Sequence, residues 1–289
     1  MIGIQISGKQ ALDRWAKIID ILQIQACQIV VHPSAFGVPK TRFHFQSLFE
    51  QLKKNHQLQK IFIHAPDHIS IQGMTRYQRL RSFRILRRLL ESCENMGIDG
   101  LIVHVNLRKT LTIKSLNDEL STIFFDSMIQ TPLILENTAY PKDSYGCDLS
   151  LLGNLAETIE QWTPTNICLD SAHLFASAYR FENRESATQL KKQYPDFFKH
   201  IALLHLNDSK EPFGSFKDRH EHIGKGCIGL GALGALLSLF DKDLPLIMEP
   251  PAAPFEELNA SVERLKKLIQ ANARDPEANS SASSMPWVF

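Results

Sequence analysis

Ile167-Cys168-Leu169-Asp170 is the stretch on which the fold turns: three residues suited to a sheet interior are closed by an acid. The arrangement occurs five more times, as Ile61-Phe62-Ile63-His64, Leu101-Ile102-Val103-His104, Leu133-Ile134-Leu135-Glu136, Ala202-Leu203-Leu204-His205 and Leu246-Ile247-Met248-Glu249. Each reads as a short β-strand. Strand side chains alternate faces, so every closing His, Asp or Glu shares a face with the apolar or Cys residue two positions before it. All six can therefore point inward at one end of a closed sheet, a geometry suited to metal binding.

Working outward, strand candidates fall near 2–6, 26–31, 60–64, 100–104, 132–136, 166–170, 201–206 and 245–249. Helical periodicity is clearest over 10–23, 43–55, 75–96, 150–161 and 255–271, and weaker over 185–198 and 229–240. Eight strand-then-helix units predict an α/β protein, a (β/α)₈ barrel, whose functional groups sit on the loops leaving the C-terminal strand ends. Residues 1–271 are expected to form one domain. The Asn- and Ser-rich segment 272–289 cannot bury enough apolar area to order itself and is expected to be a flexible tail, with Trp287-Val288-Phe289 a weak docking candidate. With 44% hydrophobic residues in 289, the chain can bury a large core. A formal net charge of +1 excludes a global field pulling it to nucleic acid or membrane, so anion binding must be local. Five scattered cysteines without CxxC spacing, no leader-like N-terminus and no membrane-length apolar run predict a cytoplasmic protein.

The candidate ligands are His64, His104, Glu136, Asp170, His173, His205, Asp218, His220 and Glu249. Imidazole and carboxylate without thiolate suit zinc, manganese or iron better than magnesium or calcium. A catalytic zinc takes about three protein ligands, so this set, with one member bridging, would serve two or three ions. Four carboxylates against three divalent ions leave a formal charge of about +2, which attracts a phosphodiester.

These residues lie in His64-Ala65-Pro66, Leu135-Glu136-Asn137-Thr138-Ala139, Cys168-Leu169-Asp170-Ser171-Ala172-His173-Leu174-Phe175-Ala176, His205-Leu206-Asn207-Asp208-Ser209-Lys210, Gly214-Ser215-Phe216-Lys217-Asp218-Arg219-His220-Glu221-His222-Ile223-Gly224 and Met248-Glu249-Pro250. In this order and combination the sequence resembles endonuclease IV, the metal-dependent apurinic/apyrimidinic (AP) endonucleases. The resemblance implies a TIM-type barrel carrying three zinc ions, with manganese at some positions, and cleavage of DNA 5′ to an abasic site, leaving a 3′-hydroxyl. It implies that His64 and His104 hold one ion, that Glu136 bridges to a second completed by Asp170, His205 and Glu249, and that His173, Asp218 and His220 hold the third. Glu136 would also orient the attacking hydroxide.

The departures from the family pattern cluster where DNA would be gripped. An aromatic residue usually follows the first His-Ala-Pro, whereas this chain has Asp67-His68. The loop after the second strand usually carries a polar and basic segment with an aromatic residue, whereas this chain has His32-Pro33-Ser34-Ala35-Phe36-Gly37-Val38-Pro39-Lys40. Strand 4 ends His104-Val105-Asn106 instead of His-Pro-Gly, and Tyr140-Pro141-Lys142 replaces a glycine-rich turn. Phe36, Arg108, Lys109, Tyr140 and Lys142 are candidates to replace lost contacts, because aromatic faces and cationic groups bind unstacked nucleotides and phosphates. Asp67, Lys210 and Arg219 complete the expected DNA contacts, and the protein is expected to act as a monomer.

Competing readings are specific. His222 is an alternative to His220 for the third ion. The run Arg76, Arg79, Arg81, Arg84, Arg87 and Arg88 shares a helix with the apolar stripe Leu80, Phe83, Leu86 and Leu90 and is expected to be a solvated outer face. Cys168 is expected inside the barrel. A sugar or sugar-phosphate isomerase on the same barrel would need only Glu136, Asp170, His205 and Glu249. A binding protein with structural metals is a third class.

Overall fold

The computed structural model describes residues 1–6, 12–30, 46–47, 49–54 and 58–274. Eight parallel strands close into a barrel: β1 (Ile2–Ile6), β2 (Ala26–Val30), β3 (Lys60–His64), β4 (Gly100–His104), β5 (Leu133–Glu136), β6 (Thr165–Asp170), β7 (Ile201–His205) and β10 (Leu246–Met248). Neighbours pair in chain order, and β10 closes the ring against β1. Two short strands, β8 (Asp208–Ser209) and β9 (His220–Glu221), pair antiparallel and fold the segment between them back over the mouth.

Alternation sorts the core into two compartments. Ala26, Phe62, Ile102, Ile134, Cys168, Leu203 and Ile247 form an interior cluster, and the opposite strand faces pack with the helices into the larger outer core. Six interior residues, Phe62 through Ile247, stand two positions before His64, His104, Glu136, Asp170, His205 and Glu249, so the strand period carries all six polar residues to one rim. Gly3 is required by close approach, since a Cβ there would lie 2.3 Å from Ile247 Cδ1.

Most helices fall where the periodicity places them. The helix Ile113–Phe124 is one that the pattern reading missed; Thr112 caps it, and Leu116, Leu120, Ile123 and Phe124 form its buried face. The last helix, Phe255–Arg274, runs three residues beyond the expected boundary at 271, and Asn272 Nδ2 donates to Gly234 O at 2.9 Å. Residues 275–289, including Trp287, lie outside the described residues, as does Phe36. In the arginine run, Arg79 departs from a solvated face. It is buried and forms a bidentate pair with buried Glu119, at 2.8 and 2.5 Å. Among the described residues no helix is long and apolar enough to cross a membrane.

Candidate metal centre

Glu136 ends β5 with no solvent exposure, and its two oxygens face different partners. Oε2 lies 2.8 Å from His64 Nε2 and 3.3 Å from His104 Nε2; Oε1 lies 2.9 Å from His205 Nδ1 and 3.4 Å from His173 Nδ1. On the far side, His205 Nδ1 is 3.2 Å from Glu249 Oε2 and 4.0 Å from Asp170 Oδ2. Asp218 reaches across from the loop before β9, with Oδ2 3.1 Å from His173 Nε2 and Oδ1 3.2 Å from His220 Nε2.

The nine residues therefore converge. Ligand atoms lie mutually within 4.8 Å in His64, His104 and Glu136; in Glu136, Asp170, His205 and Glu249; in Asp170, His173 and His220; and in His64, His205 and Glu249. The third grouping differs from the expected one by holding Asp170, whose Oδ2 is 3.6 Å from His220 Nε2, in place of Asp218, which meets His173 and His220 at 3.1 and 3.2 Å but belongs to none of the four groupings. His222 faces elsewhere: its Nδ1 is 3.0 Å from Ser261 Oγ on the last helix.

Three observations fit divalent ions to this donor set. Ligands about 2.0–2.1 Å from a tetrahedral ion sit about 3.3 Å from one another, and the His104–Glu136, His205–Glu249, His173–Asp218 and His220–Asp218 atom pairs span 3.1 to 3.3 Å. His220 Nε2 is buried with no hydrogen-bond partner among the described residues. Backbone carbonyls hold the outer nitrogens of two rings, with His64 Nδ1 2.6 Å from Ala65 O and His173 Nδ1 2.8 Å from Asn137 O. The remaining nitrogen of each is left to face the centre.

Charge tells the same story in the metal-free chain. Burial pulls the His173 and His220 rings down, but the Asp170 and Asp218 carboxylates override it, holding His173 well above its ordinary value and His220 at about 9. Burial raises Glu249 and Glu136; His205 reverses this for both, helped at Glu136 by His104, so that Glu249 falls to about 2 and Glu136 well below its ordinary range. Protonated imidazoles among carboxylates stand where cations would.

Several supporting residues escaped the sequence reading. Gln28, fully buried on β2, contacts both His205 and Glu249. Asn207 Nδ2 donates to Asp170 Oδ2 at 2.6 Å and Glu249 Oε2 at 3.1 Å, and Asn137 Oδ1 accepts from the Asp170 backbone at 2.7 Å. Buried Asp208 accepts from the backbone N–H groups of Ser209, Gly224, Gly226, Ile228 and Gly229 at 2.9 to 3.4 Å, tying down the loop that presents Asp218 and His220. A polar residue two positions past interior Ala26 is the signal that could have revealed Gln28.

The expected DNA contacts behave differently from the candidate ligands. Tyr140 is 70% exposed and, with Arg108, His68, Met74 and Arg81, lines a cavity of about 790 Å³. Most of the cationic candidates already have partners: Arg108 pairs with Asp143, Lys109 with Asp148 at 2.8 Å and Arg219 with Glu211 at 3.1 Å. Lys142 Nζ stands 4.5 Å from the centroid of the Phe216 ring, and Lys210 is exposed beside β8. Asp67 is exposed at the rim, its Oδ1 3.5 Å from His104 Nδ1.

A closed parallel barrel with a histidine–carboxylate centre at its C-terminal mouth defines a class, and the sequence model of the xylose isomerase-like TIM barrel family matches residues 24–270. The probable endonuclease 4 of Carboxydothermus hydrogenoformans is 30% identical over 240 residues, 79% of this chain and 81% of that protein. That of Sulfurihydrogenibium sp. is 27% identical over 93% of this chain and 99% of its own length. The endonuclease IV structure from Thermus thermophilus superposes with a TM-score of 0.69 at 22% identity, covering 92% of this chain and 99% of the other. A D-tagatose 3-epimerase-like protein shares the fold at the same TM-score and 17% identity, covering 93% and 97% of the two chains. The chain belongs to the endonuclease IV family within the xylose isomerase-like TIM barrels.

Proposed function

We propose that this protein is a zinc-dependent AP endonuclease, a single barrel domain that hydrolyses the DNA phosphodiester 5′ to an abasic site. The observation carrying this reading is the convergence of all nine imidazole and carboxylate side chains on one rim, eight of them in overlapping groupings and Asp218 beside His173 and His220. His64 and His104 would hold one ion, Asp170, His205 and Glu249 a second that shares Glu136, and His173, Asp218 and His220 a third. Bound zinc, or manganese at some positions, would neutralise phosphoryl oxygens and supply an activated water. Glu136, with one oxygen toward each side of the centre, orients the attacking oxygen in line with the phosphorus. Asn207 holds the Asp170 and Glu249 carboxylates in place while charge redistributes around them. Cytoplasmic location and action as a monomer belong to the same reading.

Sugar isomerisation is the rival, since barrels of this fold include epimerase-like proteins. That chemistry leaves His173, Asp218 and His220 without a task. The deciding experiment incubates purified protein with a duplex carrying one tetrahydrofuran abasic analogue, with and without chelator. Chelator-sensitive nicking 5′ to the analogue is expected; intact duplex alongside turnover of a ketose would favour the rival.

A further inference from the structure

The strands β1 and β2 contribute no ligand to the centre, yet each places a glutamine at the rim. Gln28 lies two residues past interior Ala26, is fully buried, and spreads one amide over three partners. Its Nε2 donates to Glu249 Oε1 and to Gln5 Oε1, each at 2.7 Å, and its Oε1 lies 2.6 Å from His205 Nε2.

The direction of that amide is determined by its neighbours. An ionised carboxylate only accepts, so the Gln28 NH₂ must face Glu249 and the carbonyl oxygen must face His205. When an ion is bound, the His205 hydrogen would therefore sit on Nε2, leaving Nδ1, beside Glu136 Oε1 and Glu249 Oε2, to the ion. His64 and His173 have backbone carbonyls for this purpose, whereas His205 uses a side chain. We infer that Gln28 is a positioning residue of the metal centre, fixing the His205 tautomer and the Glu249 rotamer so that both face one ion, with Gln5 bracing it from β1. This rests on the metal-centre reading above and concerns how one pair of ligands is held.

The test uses cobalt(II)-loaded protein titrated against a chromophoric chelator, with the visible cobalt spectrum recorded throughout. Gln28→Met matches the shape but neither donates nor accepts, and should weaken the ion at His205 and Glu249 by about 10- to 100-fold and alter its spectrum. A packing role for the amide, whose shape methionine keeps, would leave both the affinity and the spectrum unchanged. Equal cobalt affinity and an unchanged spectrum in Gln28→Met would overturn the inference. If Gln28→Met does not fold, ¹⁵N-histidine NMR of zinc-loaded wild type still decides: a His205 ring carrying its hydrogen on Nδ1 overturns the inference. Wild-type protein that takes up no cobalt would refute the metal-centre reading instead.

Discussion

Asp67 Oδ1 stands 3.5 Å from His104 Nδ1, with the Asp67 side chain 92% exposed, so an acid sits at the rim directly beside an expected ligand. A carboxylate there repels an approaching phosphate and cannot stack into the gap left by a missing base, where an aromatic ring gains about 1–3 kcal/mol. Asp67→Tyr should tighten binding of abasic duplex about tenfold, or about 1.4 kcal/mol, with little change in the chemical step. Titrations against abasic and intact duplex in a non-cleaving background measure this. An unchanged affinity ratio would show that Asp67 does not meet the lesion.

Glu136 faces both sides of the centre. Glu136→Gln keeps its shape but loses the charge that orients the attacking oxygen, so nicking should fall by at least about a hundredfold while much of the DNA affinity survives. Single-turnover assays paired with binding isotherms separate the two effects. Turnover near wild type would show that Glu136 has been given the wrong role.

Metal and proton compete for the same nitrogens. In the metal-free chain His220 titrates at about 9, against 6.5 for an unperturbed ring, because the Asp170, Asp218 and Glu249 carboxylates outweigh burial. A raised histidine contributes stability that is fully present below the unfolded value and lost as pH rises through the folded one. The melting temperature of chelator-stripped protein should therefore decline between about pH 6.5 and 9, and reloading should abolish the decline with release of protons. Elemental analysis should find close to three ions, mainly zinc, per loaded chain. A flat metal-free profile, or a single ion in active protein, would contradict this account.

Arg79 and Glu119 form a two-point ion pair with both side chains buried. Removing one member strands the other, so Glu119→Ala should cost about 3–5 kcal/mol, whereas Arg79→Met with Glu119→Leu should recover most of the loss. Urea unfolding of the single and double variants checks this. A cost below about 1 kcal/mol, the level of an exposed pair, would argue that water reaches the site.

The barrel was readable because its strands are short apolar runs, and the convergence of the nine candidate residues because each lies in or beside a motif at a strand end or in the loop that follows. His64, His104, Glu136, Asp170, His205 and Glu249 follow from the two-residue period alone. The helix Ile113–Phe124 was less legible, since Ser115, Asn117, Asp118, Ser121 and Thr122 dilute its stripe with weak helix formers. Arg79 shares the helical face of Phe83, Leu86 and Leu90, a hint masked by the surrounding arginines. Nothing in the local sequence reveals that Arg108 meets Asp143 or Lys109 meets Asp148, because those partners arrive on a separate loop some 35 to 39 residues later. The surroundings of the expected DNA contacts were consequently less legible than those of the centre.

Asp208 gathers both ends of the segment that carries Asp218 and His220 onto one buried carboxylate. Swinging Asp218 away from the mouth would leave this anchor and the β8–β9 pair intact only if the excursion began beyond Lys210 and ended before Arg219. The tether thus sets a hard limit on travel: His220 is held by its pairing with Ser209, and only the stretch between Lys210 and Arg219, Asp218 included, can bend outward, as a handle pivots on fixed ends, without releasing the strand pair below it. Substrates too bulky for that clearance would be refused by reach, whatever their charge.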